Sequence, residues 1–538
     1  MNGAYCGLFG LCYMIVYDQL CRGIKIFFLF LLLLFVFLLC RIGTNNFLSI
    51  ANSSFFTYFQ KDSEALVIGK LVIDKNKVEI QHQGLIRFLP VIGDQKESEI
   101  KFSGYGWVAY QYNFLEGLKV SQLSNKNWKF GFNVNSNILL LDRNDNIFNF
   151  VDDGIQFRIN NQIRKVVNVE LYNNYVLLSY DGGQLKPEQN AKIKLELNNN
   201  KLILDPYRSQ VGLQGVFFSK LYNNLGFSLS SLYALTSFFL ALTLVLLSVI
   251  YSKLFSYLFQ ISFLLSVILS PWIVSFARNL YWVEFTFFLP AIFVGQLVLT
   301  IKSKRKHWIW YLFIFLSILV KCLCGYEYIS AIVLFASAPI LILMITSANR
   351  EKFIMWLKAL IIVFTLSVLA FVVALIINAN MISSGDIKSG LDVILTRAQE
   401  RTFGTSSDIP MDRIDFNYLD VLGLYIFGWH TDVIKWIVSA RAFMFFSVFP
   451  LAFITCEFVI KKNLNLFKKQ IALYVSFALP ALSWFFLAKG HSLVHTHMNY
   501  ILWYMGFVAT CIYFYLTKIV ELCVLLYRNI SKKVNYLR

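Results

Sequence analysis

Roughly ten separate windows of about 20 apolar residues punctuate this chain, and a backbone placed in hydrocarbon must satisfy its own polar groups, so few folds are open to it. The windows fall at 26–41, 229–251, 255–275, 284–301, 308–323, 328–347, 354–378, 436–459, 471–488 and 500–523. The residues are 57% hydrophobic and only 15% charged, too few charges to coat a water-soluble protein of 538 residues. Phe alone occurs 52 times, which suits lipid-facing helices. The pattern predicts a polytopic α-helical membrane protein with about ten transmembrane helices.

The formal net charge of +18 is uneven along the sequence. Segment 44–225 is close to balance, with 20 Lys/Arg against 17 Asp/Glu. The basic excess lies instead in alternate short connections and at the ends: Lys302, Lys304, Arg305 and Lys306; Arg350, Lys352 and Lys358; Lys461, Lys462, Lys468 and Lys469; Lys532 and Lys533. The positive-inside rule makes those segments cytoplasmic, with both termini inside. The excess is therefore a topology signal, and no nucleic-acid partner is expected. Residues 1–43 read as an interfacial lead-in and first span, with no small-residue cleavage site after the apolar core.

Segment 44–225 is too long and polar for a connector. Its start, 52–70, reads as a surface helix with Phe56, Phe59, Leu66 and Val67 on one side. From 71 to 204, short alternating runs such as Leu71-Val72-Ile73 and Tyr175 to Tyr180 are separated by Asn, Asp and Gly turns, predicting an inserted antiparallel β domain. Its Tyr105-Gly106-Trp107 and Tyr110-Gln111-Tyr112 fit a β core better than a sugar-stacking face. A second surface helix is predicted at 209–225, followed by spans two to seven within 226–379. An extracytoplasmic loop follows at 380–435, with a helix around Asp392 to Arg401 and with Arg397, Arg413 and His430. Spans eight to ten and a basic tail occupy 436–538. The nine cysteines form no metal or disulfide pattern, and Cys322 and Cys324 read as packing residues at the membrane boundary.

Four polar clusters fall on the extracytoplasmic side: Asp62 with Glu64; Arg278-Asn279 with Glu284; Glu327; and Lys489, His491, His495, His497 and Asn499. Ionisable groups at a hydrocarbon edge are costly and commonly mark a substrate path. Asp62 and Glu64 are two apart, so one helix face presents only one of them. A carboxylate there suits a general base toward a hydroxyl. Glu284, where an apolar run begins, reads as a group that orients a sugar, binds a divalent cation or pairs with Arg278. The Lys489–Asn499 stretch lacks the ligand spacing of a zinc site, and its cations and imidazoles suit a phosphate.

The first span followed by Lys61-Asp62-Ser63-Glu64-Ala65-Leu66-Val67, and a second helix from Ser209-Gln210-Val211-Gly212 to Leu225 leading into the next span, resemble the membrane glycosyltransferases of the GT-C fold. That family includes protein O-mannosyltransferases and the aminoarabinose transferase of lipid A. The resemblance covers nearly the whole chain except 71–204, and here the acidic motif is Asp-x-Glu rather than adjacent Asp-Glu. It implies an inverting transfer of a sugar from a polyprenyl-phosphate donor to a hydroxyl of a glycan or lipid acceptor. The expected base is Glu64, with Asp62 as the second candidate. Arg278, Lys489 and the histidines would neutralise the donor phosphate, and Asn279, Glu284, Glu327 and Asn499 would line the substrate site. Phe-, Asn- and Lys-rich usage points to a bacterium, and the resemblance then implies an inner-membrane enzyme acting on cell-envelope polysaccharide or lipopolysaccharide. The competing expectations are a flippase of lipid-linked sugars and an O-antigen ligase or polymerase.

Overall fold

A computed structural model describes residues 33–51, 53–78, 84–90, 118–119, 138–142, 156–159, 161–171, 175–183, 192–195, 202–301, 307–403, 417–427 and 431–537. The side chains of Asp62 and His497, the segments holding Tyr105 to Tyr112, Lys302 to Lys306, Arg413 and His430, and the side chains of Arg397 and Arg401 lie outside the described residues.

The described residues open with α1 (Leu33–Gly43) and α2 (Ser53–Lys75). Strands follow: β1 (Ile86–Pro90), β2 (Leu118–Lys119), β3 (Ile138–Asp142), β4 (Gln156–Ile159), β5 (Gln162–Leu171), β6 (Tyr175–Tyr180), β7 (Lys192–Leu195) and β8 (Leu202–Pro206). β1 and β8 pair antiparallel from Ile86↔Pro206, tied by an Arg87–Asp205 ion pair. The other six form an antiparallel sheet in the order β2-β7-β4-β5-β6-β3. Phe157, Ile159, Val166, Val176, Leu178 and Tyr180 are buried there, the period-two pattern of a sheet with one covered face.

The helical body then runs through α3 (Leu213–Leu225), α4 (Leu229–Leu254), α5 (Tyr257–Ile268), α6 (Pro271–Ala277), α7 (Phe285–Thr300), α8 (Trp308–Cys324), α9 (Ile329–Ile345) and α10 (Arg350–Ile382). It continues with α11 (Ile387–Phe403), α12 (Tyr418–Ile426), α13 (Phe443–Lys461), α14 (Leu464–Leu487), α15 (Lys489–Val494), α16 (Thr496–Asn499) and α17 (Phe507–Leu537). Among the described residues, five helices are long and apolar enough to cross a membrane: Leu229–Leu254, Arg350–Ile382, Ala440–Lys461, Leu464–Leu487 and Phe507–Ser531. α1, α7, α8 and α9 are shorter apolar helices.

Four local expectations need correcting. The window 255–275 is not one straight helix: α5 and α6 meet at a 66° bend. Ser270 accepts from the Ile273 N–H and Pro271 occupies the first turn of α6, so a new helix starts where the old one would have continued. Leu71-Val72-Ile73 is the last part of α2 rather than a strand, because Lys70 and Asp74 pair at 2.7 Å one turn apart and extend the helix to Lys75. Nor is α2 a surface helix in its second half. Residues 64 to 73 are buried on every side, between α3, β1 and α6. The window at 500–523 likewise begins with a short 3₁₀ turn at Tyr500–Tyr504, and α17 starts only at Phe507.

Polar links fasten α2 to α3. Ser219 donates to Asp74 Oδ2 at 2.5 Å, and Asn223 donates to the Leu71 carbonyl at 3.2 Å. Within the bundle, α4 and α7 approach so closely that a Cβ on Gly295 would lie 2.5 Å from Ile250 Cγ2. A glycine at such a crossing is the usual device for close helix packing in membranes.

Candidate active site

The four polar clusters, as much as 435 positions apart in sequence, meet around two short turns. The first turn, 278–284, joins α6 to α7. Asn279 Oδ1 accepts from the N–H groups of Tyr281 at 2.8 Å and Trp282 at 3.1 Å, closing a tight loop. Val283 adopts φ 42°, a left-handed conformation that costs a β-branched residue about 1–3 kcal/mol. That strained residue delivers Glu284 to the start of α7. The second turn, 325–328, joins α8 to α9 and carries Glu327 and Tyr328.

Glu64 reaches the first turn directly, its Oε1 accepting from the Leu280 N–H at 3.4 Å. Glu327 reaches it through Tyr281, whose hydroxyl lies 3.2 Å from Glu327 Oε1 and 3.4 Å from Gln210 Oε1. One hydroxyl proton serves one of these acceptors at a time. Gln210 Nε2 donates to the Cys324 carbonyl at 2.7 Å, and Gln214 Nε2 donates to the same carbonyl at 2.8 Å and to that of Tyr281 at 3.0 Å. Lys321 donates to the Gly325 carbonyl at 2.6 Å, with its ammonium 5.2 Å from the centre of the Phe287 ring. Gly325 leaves room for two of these side chains: a Cβ there would displace the carboxylate end of Glu327 and come within 2.8 Å of Gln210 Oε1.

The fourth cluster joins from the other side. The Tyr328 hydroxyl donates to Asn499 Oδ1 at 2.7 Å. Asn499 Nδ2 lies 3.4 Å from Ser492 Oγ, and Tyr425 donates to the Ser492 carbonyl at 2.8 Å. Trp282 stacks on Tyr328 at 5.6 Å, and Trp484 meets Tyr328 edge-on at 5.1 Å. His491 packs against Trp484 at 5.7 Å and His495 at 4.5 Å, so the imidazole on α15 meets that of the residue that ends the helix. Burial raises the Tyr425 hydroxyl well above its ordinary pKa, keeping it a donor.

The residues differ sharply in how well they are served. Glu64, Glu284, Glu327 and Lys321 are all buried, each at most 4% exposed. Glu284 stands apart, since among the described residues neither carboxyl oxygen has a hydrogen-bond partner. Of the three roles read for Glu284, the pairing with Arg278 does not form: the Arg278 guanidinium lies over the Tyr233 ring at 5.2 Å, while its carbonyl accepts from Thr236. Gln214 Oε1, Ser63 Oγ and the indole N–H groups of Trp282 and Trp484 are also buried without partners among the described residues. Lys489 lies over the Tyr418 ring at 5.2 Å.

Gln210, Gln214 and Lys321 escaped the sequence reading as site residues. Gln210 and Gln214 are four apart beside an apolar helix, and Lys321 sits within an apolar run. Each pattern carries the signal of a polar group that must find a buried partner. Among the described residues, no group of three or more His, Cys, Asp or Glu side chains is arranged to hold a metal ion. No protein-family model, curated protein or solved structure matches this chain.

Proposed function

We propose that this protein is an inverting membrane glycosyltransferase of the GT-C type, drawing a sugar from a polyprenyl-phosphate carrier at the extracytoplasmic face of a bacterial inner membrane. In this reading about ten spans carry an extracytoplasmic β-rich insertion, with both termini cytoplasmic. The observation that carries it is the convergence of Glu64, Glu284 and Glu327 with the Lys489–Asn499 segment around turns 278–284 and 325–328.

Glu64 takes the proton from the acceptor hydroxyl, a role suited to a carboxylate held in place by a backbone N–H. The acceptor oxygen bonds to the anomeric carbon from the face opposite the phosphate. The bond from that carbon to the phosphate oxygen breaks, and polyprenyl phosphate departs. The second candidate for the base remains Asp62. Glu284 accepts from sugar hydroxyls, which supplies the partners its oxygens lack. One orphaned carboxylate is a thin donor set for a divalent cation. Arg278, Lys489, His491, His495 and His497 offset the charge of the donor and leaving phosphate. Asn279 and Glu327 hold the two turns, and Asn499 positions Tyr328.

A second reading, a flippase of lipid-linked sugars, draws on the 66° break between α5 and α6, since broken helices are common in transporters. Membranes containing the chain, or the variants Glu64→Gln, Asp62→Asn and Glu284→Gln, are supplied with a panel of labelled polyprenyl-phosphate sugars. The expected result is transfer to endogenous glycan or lipid that depends on Glu64 and Glu284. Full transfer by all three folded variants sinks the assigned site, and translocation without transfer selects the flippase.

A further inference from the structure

A second feature lies in the six-stranded sheet. Residues directly paired across two strands share one face, and so do residues two apart along a strand. Phe157 and Ile159 mark the covered face of β4, which leaves Gln156 and Arg158 on the open face, where both are exposed. Arg158 pairs with Lys194 of β7 on one side and with Ile163 of β5 on the other. Gln156 pairs with Lys165, and Lys192, two before Lys194, pairs with Lys119 of β2. The register therefore sets Lys119, Lys192, Lys194, Arg158 and Lys165 in a diagonal line on one face, across the adjacent strands β2, β7, β4 and β5. With strands about 4.8 Å apart and residues about 3.4 Å apart along each, the line is roughly 20 Å long.

Like charges directly opposite each other destabilise a sheet, and this line contains the pairs Lys119↔Lys192 and Arg158↔Lys194. The line is not a sample of general basicity, because segment 44–225 holds 20 Lys/Arg against 17 Asp/Glu. Among the described residues of these four strands the acid is Glu170, which lies beyond the bulge at Val166 to Asn168 and receives Asn168 Nδ2 at 3.3 Å. Asp181, just past β6, accepts from the Lys165 backbone N–H at 2.7 Å.

The rest of the face decides what kind of anion it suits. Among the described side chains of β4 and β5, the exposed apolar residues are Ile163 and Val167, too little to anchor a bilayer interface. Their aromatic residue, Phe157, is buried, which leaves no ring there for a nucleic-acid base to stack on. An extended polymer with acid groups at short, regular intervals matches a line of bases about 5–8 Å apart.

We infer that the open face of this sheet binds an acidic polysaccharide, with carboxylate or phosphodiester groups along its chain, laid across β2, β7, β4 and β5. The choice of a glycan rests on the extracytoplasmic placing of the insertion in the proposed topology, whereas the binding itself does not depend on sugar transfer.

The test uses the full chain purified in neutral detergent micelles and a fluorescent oligogalacturonate, with a neutral dextran oligomer of equal length for comparison, read by anisotropy. The acidic oligomer should bind, more weakly as salt is raised, and the neutral one should not. Arg158→Glu and Lys192→Glu each place a carboxylate opposite a lysine, so neither should lower the melting temperature. Each should weaken binding about fivefold, the scale of a reversed surface charge. Lys388→Glu, at an exposed base outside the sheet, should leave binding unaltered. Equal binding of the neutral oligomer, or equal loss in Lys388→Glu, overturns the inference. Tighter binding of an RNA oligomer of equal charge overturns the choice of a glycan. So does displacement by phosphatidylglycerol mixed into the micelles that is as effective as displacement by unlabelled polygalacturonate. None of these outcomes bears on the transfer assay, which reads the carboxylate cluster separately.

Discussion

Two buried glutamates at opposite ends of the bundle show how differently one side chain can be used. Glu457, on α13 near the basic end, is 8% exposed and fully served. It receives Lys461 at 2.5 Å, Lys518 at 2.7 Å and Gln470 Nε2 at 3.0 Å, and so knots α13, α14 and α17 together. Glu284, at the other end, is 1% exposed and has no partner for either oxygen among the described residues. A buried polar group without a hydrogen bond costs about 1–3 kcal/mol, more if charged, so only the first arrangement is explained by folding. The second stores a cost that a bound ligand can relieve. Strain at Val283, immediately before it, fits the same account.

The comparison can be broken in four ways, the largest effect first. Glu64→Gln should lower sugar transfer about a hundredfold to ten-thousandfold, the usual range for a lost general base. Initial rates in membranes, with protein amount normalised, measure it. Next, Glu284→Met should pull stability and activity apart. Transfer should drop at least about tenfold, while the unliganded protein gains about 1–3 kcal/mol from removing the orphaned carboxyl. A thermal melt in detergent reads the second part, and a loss of stability would place Glu284 in the same structural class as Glu457.

The same substitution at the other end should act in reverse. Glu457→Met should destabilise by about 1–2 kcal/mol, moderated because Lys461 remains half in solvent, and should leave transfer by the folded fraction unchanged. The smallest effect concerns Asp386, ahead of α11. Its carboxyl accepts from the Ser389 hydroxyl at 2.5 Å and from the Ser389 N–H at 3.3 Å, which holds it below the ordinary carboxylate range. A lowered folded pKa means this cap contributes above the ordinary value of about 3.9 and is lost as pH falls through the lower folded value. The protection factors of amides 387–390, corrected for the intrinsic pH dependence of exchange, should fall on acidification from about pH 5 to pH 2, and Asp386→Asn should flatten that dependence.

Much of the helical layout could be read from residue order because hydrocarbon imposes a length on apolar runs. The runs at 229–251 and 354–378 lie within α4 and α10, and α14 holds all of 471–488 but its last residue. The Tyr175 to Tyr180 run is β6, bounded by the residues that marked it. Reading failed where a local signal interrupted a long one. Ser270-Pro271 restarts a helix inside an apolar window, and the Lys70–Asp74 pair prolongs α2 through a run rich in strand-forming residues. Burial of residues 64 to 73 of α2 on all sides was also illegible, because the cover comes from α3 and β1, which follow it in the chain.

Residue order by itself pointed to a helical membrane protein, to the uneven placing of its basic residues and to the carboxylates and histidines grouped beside its apolar runs. Those follow from transfer energies and the positive-inside rule, which act on each segment separately. Only the tertiary structure decided which of those groups meet, that Gln210, Gln214 and Lys321 join them, and that Glu284 is left without a partner where Glu457 is given three. Partnership depends on distances between segments as much as 435 positions apart, and packing alone sets those distances.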